Sequence, residues 1–252
     1  MTIKTTDLVN YLSKYLQVDK FKDYAPNGLQ VEGKQTIRTL VTGVTACQAL
    51  IDKAIELDAD AILVHHGFFW KGENPVLTGM KAKRIKALMQ NDINLLGYHL
   101  PIDAHNELGN NALLGQKLGL IDVAIDANTP QDLLWTGKLS KPMTPDELAQ
   151  HIEQVLDRAP LHLAAESSLI ETIAWCTGGA QDYIDAAAAL QVDAFISGEA
   201  SERTFHQAAE LGVHYFGAGH HATERYGIEA LGAHLAQEFN LDWHHVDINN
   251  PV

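Results

Sequence analysis

Residues 48–66, QALIDKAIELDADAILVHH, are echoed by residues 181–199, QDYIDAAAALQVDAFISGE. Each stretch opens with apolar residues at helical spacing and ends in a short apolar run, which reads as a helix followed by a buried strand. Shifted by 133 positions, Gln48, Ile51, Asp52, Ala54, Leu57, Asp60 and Ala61 fall on Gln181, Ile184, Asp185, Ala187, Leu190, Asp193 and Ala194, seven identities in fourteen positions. Farther on, a shift of 121 places His99 and Asp103 on His220 and Glu224, both of the form His-x-x-x-acid. The two shifts differ by 12 residues, the size of an extra loop, GFFWKGENPVLTG, after the first His-His strand. The pattern predicts a duplication: two α/β halves with the same order of elements.

The same alternation extends outward from both stretches. TTDLVNYLSKYL reads as a helix capped by Thr5 or Thr6, with Leu8, Leu12, Tyr15 and Leu16 on one face. TIRTLVTGV is a strand, GMKAKRIKALMQND a basic-faced helix, INLLGYH a buried strand and ELGNNALLGQKLGL a helix. Pro101 is expected to fix a turn after INLLGYH. The pattern is weakest over residues 121–145, where turn residues flank one short strand, DLLWTGKL. TPDELAQHIEQVL is a helix with Thr144 as N-cap and Glu147 placed for a capping box. ETIAWCT, DAFISG, VHYFGAG and DWHHVDI are strands, separated by AQDYIDAAAAL, SERTFHQAAEL and the long ATERYGIEALGAHLAQEF helix. Strands alternating with helices imply βαβ units, hence an α/β fold with mixed, largely parallel sheets. The repeat boundary falls near residue 125, giving repeats over 1–125 and 126–252.

Composition narrows the function. The chain has 252 residues, 46% of them hydrophobic, which suits a packed globular protein. With 32 acidic and 18 basic residues and a net charge of −14, its field repels phosphate at long range. That argues against an extended nucleic-acid partner gripped by a broad basic face. Cys47 and Cys176 form no CxxC pair, so neither a disulfide framework nor a cysteine zinc site is expected. The opening MTIKTTDLVN carries no apolar signal region, and no apolar run reaches membrane-spanning length. The expectation is a cytoplasmic protein with no membrane partner.

Three stretches carry donor side chains at the C-terminal ends of predicted strands, where α/β proteins place their sites. His65 and His66 end AILVHH; neighbours on a strand point to opposite faces and can splay around different atoms. Asp103 follows INLLGYH. His220 and Glu224, in GAGHHATERYG, are one helical turn apart on one face, and His221 competes with His220 as the ligand. Read singly, each has an ordinary alternative: solvated histidines, a turn-closing aspartate, a helix N-terminal acid. Together they supply nitrogen and oxygen donors without thiolate. That set is too rich for one tetrahedral ion and suits two with open coordination positions.

These residues, with Asn27-Gly28-Leu29-Gln30-Val31, ILVHHG, YHLPIDAH, NALLGQKLGL, CTGGAQDY, DAFISGE and GHHATERYG, resemble the NIF-three-like dinuclear metal-centre family, also known as type 2 homologues of GTP cyclohydrolase I. The resemblance covers essentially the whole chain. It implies two intertwined α/β repeats, a ring-shaped homohexamer with metal sites facing an inner cavity, and two divalent ions per subunit held by His65, His66, Asp103, His220 and Glu224. The ions' identity is open among Zn, Mn, Fe, Co and Ni. The family often shows His-Tyr or His-Phe where this chain has His220-His221, which favours His220. It commonly has Pro after the His-His pair, where Gly67 stands here.

The implied activity is metal-dependent hydrolysis of a small, nucleotide-like substrate. The alternatives are a metal-binding scaffold without turnover and a metal carrier. Among secondary residues, Glu199 occupies the slot of His66 in the repeat and is the candidate acid or base. His99, which mirrors His220 but is not among the family's ligands, could orient Asp103 or be a core histidine satisfied by backbone, and His105 could play the same part with less support. Thr177-Gly178-Gly179 is either an anion-holding turn or, more simply, a tight turn. Phe68, Phe69 and Trp70 could stack on a ring or bury a contact between subunits.

Overall fold

The computed structural model describes residues 2–252. Along the chain run β1 (Ile3–Lys4), α1 (Thr5–Tyr15), β2 (Gly28–Val31), β3 (Thr36–Ile37), β4 (Thr39–Thr45), α2 (Gln48–Glu56), β5 (Ala61–His66), α3 (Gly79–Gln90), β6 (Asn94–Gly97) and α4 (Leu100–Ala104). There follow α5 (Asn110–Lys117), β7 (Ile121–Ile125), β8 (Trp135–Met143), α6 (Pro145–Leu156), β9 (Leu161–Leu163), β10 (Ile170–Cys176) and α7 (Ile184–Ala189). The chain closes with β11 (Ala194–Ser197), α8 (Glu202–Leu211), β12 (His214–Gly217), α9 (His220–Phe239) and β13 (Asp242–His245).

The residues fall into two compact units. One comprises the chain up to Ile102 with Gly227–Asn249; the other comprises Asp103–Tyr226 with Asn250–Val252. This is a division by packing, whereas the boundary near residue 125 divides the chain by repeat. The first unit holds a five-stranded sheet in the order β13-β4-β5-β6-β2, parallel except for β2. Its core joins Val41 and Val64 of the sheet to Leu50, Ile51 and Ala54 of α2. The second unit holds a six-stranded sheet, β7-β8-β10-β11-β12-β9, with β10, β11 and β12 parallel and the rest antiparallel. Trp175, fully buried on β10, anchors its core with Leu148, Ile152 and Leu156 of α6.

The two sheets carry matching strand pairs at the offset seen in the sequence. Leu40 pairs with Ala61 between β4 and β5, and Ile173 pairs with Ala194 between β10 and β11, the same offset of 133 residues. Asp60 accepts the N–H groups of Arg38 and Thr39 at 2.8 and 2.9 Å. Asp193, at the same offset, accepts those of Glu171 and Thr172 at 2.9 and 2.8 Å. In both units one half-buried carboxylate ties the start of a strand to the turn before its neighbour.

Several local expectations change. Thr5 and Thr6 do not cap α1; Lys4 is its N-cap, and the Thr5 hydroxyl instead donates to Lys34 O at 2.7 Å. TIRTLVTGV is split at Arg38 into β3 and β4. Pro101 lies in the first turn of α4 rather than in a plain turn, a place where its missing N–H costs nothing. Asp103 therefore projects from a helical turn. The capping box at α6 forms as expected, with Thr144 Oγ1 accepting from Glu147 N at 3.3 Å and Glu147 Oε2 accepting from Thr144 N at 2.8 Å. Thr144→Ala should therefore cost about 1 kcal/mol, read as a lower urea midpoint with an unchanged slope.

Candidate metal centre

In the first unit, β5 delivers His65 into a buried position and leaves His66 half-buried. His65 Nδ1 lies 3.2 Å from Tyr98 O, and His66 Nδ1 lies 3.3 Å from Thr45 Oγ1. The turn after them is set by Gln30 of β2. Its Oε1 accepts from Phe68 N at 2.7 Å and its Nε2 donates to Pro26 O at 2.8 Å. A Cβ at residue 67 would stand 2.2 Å from that Oε1, so a side chain there would have to displace the Gln30 amide that holds the turn. Of the three aromatics that follow, Phe68 is buried in the core and Trp70 stands edge-on to His99 at 4.9 Å. Phe69 is more than a third exposed, with Lys81 over its ring.

His99 does not direct its Nδ1 at Asp103, as the sequence had left open. That nitrogen lies 2.6 Å from Asp23 Oδ1. Burial raises the Asp23 carboxyl, but hydrogen bonds from His99, Asn27 and the Tyr24 N–H outweigh it and hold the group at about 2. His65, His66 and His99 each offer a donor atom within 4.8 Å of the others.

In the second unit, Asp103 is buried, and its Oδ1 accepts from Asn110 Nδ2 at 2.8 Å and Thr177 Oγ1 at 3.3 Å. Glu224, only 2% exposed, sets Oε2 3.0 Å from His220 Nε2, as the one-turn spacing requires. The other ring nitrogen, Nδ1, lies 2.7 Å from Glu199 Oε1. Burial opposes a charge on His220, but Glu224 and then Glu199 overcome it and raise the imidazole to about 9. His221 is buried too, and its backbone N–H donates to Val252 O at 3.0 Å. His105 Nδ1 receives the Glu107 and Leu108 N–H groups at 3.3 and 3.2 Å, so it closes its own turn.

The Thr177-Gly178-Gly179 turn is a structural turn rather than an anion nest. Thr177 N donates to Asn111 Oδ1 at 3.0 Å and Gly178 N to Thr223 Oγ1 at 3.1 Å. The Gly178 carbonyl accepts from Gly198 N at 2.8 Å. Gly178 has φ +69°, and a Cβ there would lie 1.9 Å from Glu224 Oε1 and 3.2 Å from His220 Nε2. The backbone is thus pared down to seat the carboxylate.

These donors fit a divalent ion. Two ligands of one ion, each bound at ~2.0–2.2 Å, lie roughly 3.0–3.4 Å apart, and His220 Nε2 and Glu224 Oε2 are 3.0 Å apart. Imidazole and carboxylate donors suit borderline metals. Cys176 adds no thiolate: burial, then the charges of Asp103 and Glu224, push its thiol well up. Among the described residues, no helix is long and apolar enough to cross a membrane.

The sequence profile of Duf34/NIF3 (NGG1p interacting factor 3) matches residues 3–251. The chain belongs to the DUF34/NIF3 family. A GTP cyclohydrolase 1 type 2 homolog of Allochromatium vinosum is 56% identical over 247 residues, covering 98% of this chain and 96% of the relative. The solved structure of protein ybgI, described as of unknown function, matches with a TM-score of 0.95 at 52% identity, covering 99% of this chain and 100% of its own. TTHA1606 from Thermus thermophilus matches with a TM-score of 0.88 at 34% identity, covering 99% and 100%. The mixed α/β architecture is therefore that of the DUF34/NIF3 family. Sequence reasoning passed over Asp23 and gave Gln30 no role, although Gln30 lies in the Asn27–Val31 stretch that supplied part of the DUF34/NIF3 resemblance; Asp23 lies four residues before it.

Proposed function

We propose that the chain is a metal-dependent hydrolase of a small, nucleotide-like substrate, with His65, His66, Asp103, His220 and Glu224 holding two divalent ions. The observation that carries this is the buried Glu224 carboxylate, 3.0 Å from His220 Nε2 and seated over Gly178. A carboxylate buried this deeply needs a positive partner, which His220 supplies when protonated and a divalent ion would supply when His220 is neutral. Divalent ions held there would acidify water and polarise a carbonyl or phosphoryl group.

The chain's own residues prepare for that role. Asn110 and Thr177 fix one oxygen of Asp103, and Glu199 fixes the tautomer and ring plane of His220. Glu199, whose side chain is 40% exposed, is also the group proposed to take up or hold a proton at Oε1 during turnover. The name shared by curated relatives, GTP cyclohydrolase 1 type 2 homolog, points to a purine nucleotide as the first substrate to test. A homohexameric ring and a cytoplasmic location are part of the same proposal.

The test is to load the purified chain with Zn, Mn, Fe, Co or Ni and screen GTP, other nucleotides, phosphoesters and esters. Turnover by the intact chain, abolished in His65→Ala and Glu224→Ala, is the expected result. Tightly held metal with no turnover of any substrate would replace this reading with a non-catalytic scaffold. Rapid exchange of the metal with a chelator would replace it with a carrier.

A further inference from the structure

We propose that Trp70 is the platform on which the purine ring of the substrate stacks, so that the turn after β5 selects a planar heteroaromatic ring. This rests on the hydrolase reading for the site beside it, and it goes further by naming the residue that recognises the substrate.

The first ground is a strained turn that places Trp70. Phe69 has φ +66°, a left-handed backbone that bulky side chains rarely adopt. The turn sends three consecutive aromatics to three places. Phe68 is buried in the core of the first unit, Phe69 faces outward with the Lys81 ammonium 5.0 Å from its ring centre, and Trp70 returns over the end of β5. In an extended chain residues 68 and 70 share a face, so unstrained backbone would send Trp70 the way of Phe68. Strain of this kind persists where the surroundings over-determine it, and it clusters at ligand sites.

The second ground is how the indole is fixed. Both of its residue's N–H groups are engaged inside the turn: Trp70 N donates to Glu73 Oε2 and Trp70 Nε1 to Gly67 O, each at 3.2 Å. Glu73 is held in turn by Lys81 Nζ at 3.0 Å, and its N–H donates to Trp70 O at 2.9 Å. The side chain is half-buried and is no part of the core cluster that takes Phe68. With its donors engaged, the indole is left to recognise a ligand through its π surface.

The third ground is the company it keeps. The ring centroids of His66 and His99 lie 5.8 and 4.9 Å from that of Trp70, at interplanar angles of 52° and 82°. Neither ring lies parallel to the indole. A flat ligand stacked on Trp70 is thereby brought alongside His66. A purine matches an indole in size, both being fused two-ring systems. The chain's net charge of −14 repels phosphate at long range, so an uncharged ring surface is an apt recognition element here.

The test uses the full chain loaded with Zn(II) and two probes. Guanosine reports the ring alone, and inorganic triphosphate reports the phosphates alone; both are titrated by calorimetry and by tryptophan fluorescence. Guanosine should bind and quench the fluorescence. Trp70→Leu should bind guanosine at least ~10-fold more weakly, within the range for removing a base-stacking side chain, and the quenching should vanish. Trp70→Phe keeps a smaller ring and should recover part of the affinity. Triphosphate affinity, zinc content and circular dichroism should be unchanged in both variants. Unaltered guanosine affinity in a folded, zinc-loaded Trp70→Leu chain would overturn the inference and leave the hydrolase reading standing. The same affinity with a smaller assembly by light scattering would assign Trp70 to a contact between copies instead. Guanosine held by Trp70 as described, with no turnover of any substrate, would overturn the hydrolase reading and leave the platform.

Discussion

Glu224→Gln should keep its fold and hold metal at least ~100-fold more weakly than the unaltered chain, the upper end of what loss of an orienting residue alone produces. The substitution leaves the shape of the side chain nearly unchanged. It removes the negative charge that faces His220 Nε2 at 3.0 Å in a position only 2% exposed. A neutral amide is a poor partner for a divalent ion, and only one of its two terminal atoms keeps an oxygen lone pair. Equilibrium dialysis against Zn(II), with circular dichroism as a check on folding, measures this. A Glu224→Gln protein that retains two ions with the affinity of the unaltered chain would remove Glu224 from the ligand set.

Gly178→Ala should damage the same site from the backbone side. At φ +69° an alanine costs about 1–2 kcal/mol in backbone strain alone. The larger effect is steric, because the new Cβ would lie 1.9 Å from Glu224 Oε1. The carboxylate cannot stay where it is, and its movement breaks the contact with His220. Metal affinity should fall roughly 10–100-fold, as for other residues that hold ligands in place. The melting temperature should also drop, since the Gly178 carbonyl and N–H tie the turn to Gly198 and Thr223. A Gly178→Ala protein with unaltered metal affinity would show that Glu224 does not bind from the observed position. A glycine chosen only for turn geometry would lose stability and leave the metal untouched, so the two readouts separate the explanations.

The central parallel strands were legible because burial on both faces forces continuous apolar runs, as in AILV of β5 and AFI of β11. The edges were not. β7 is exposed along most of its length, so IDVAI carries no burial pattern, and β9 has only three residues. β2 hid because it is only four residues long, with Leu29 exposed, Gln30 turned to the loop after β5 and Val31 alone of its apolar side chains in the core. The helical turn of α4 was masked by Pro101, which ends helices in their interiors but begins them readily.

At the site, His65 and His66 announced themselves as a pair, and His220 and Glu224 by their one-turn spacing. Asp23 gave no such signal, since it meets His99 across 76 residues of chain. Glu199 could be singled out through the repeat, but its contact with His220 depends on how the loop after β11 returns to α9. Local spacing reveals candidate ligands that share an element; the groups that contact them come from elsewhere in the fold.

A direct count of metal tests the whole account. The chain, stripped with a chelator, reloaded with Zn(II) and freed of excess ion, should carry close to two ions per polypeptide by elemental analysis. Fewer than one after careful reloading would mean that these histidines and carboxylates do not form a dinuclear centre.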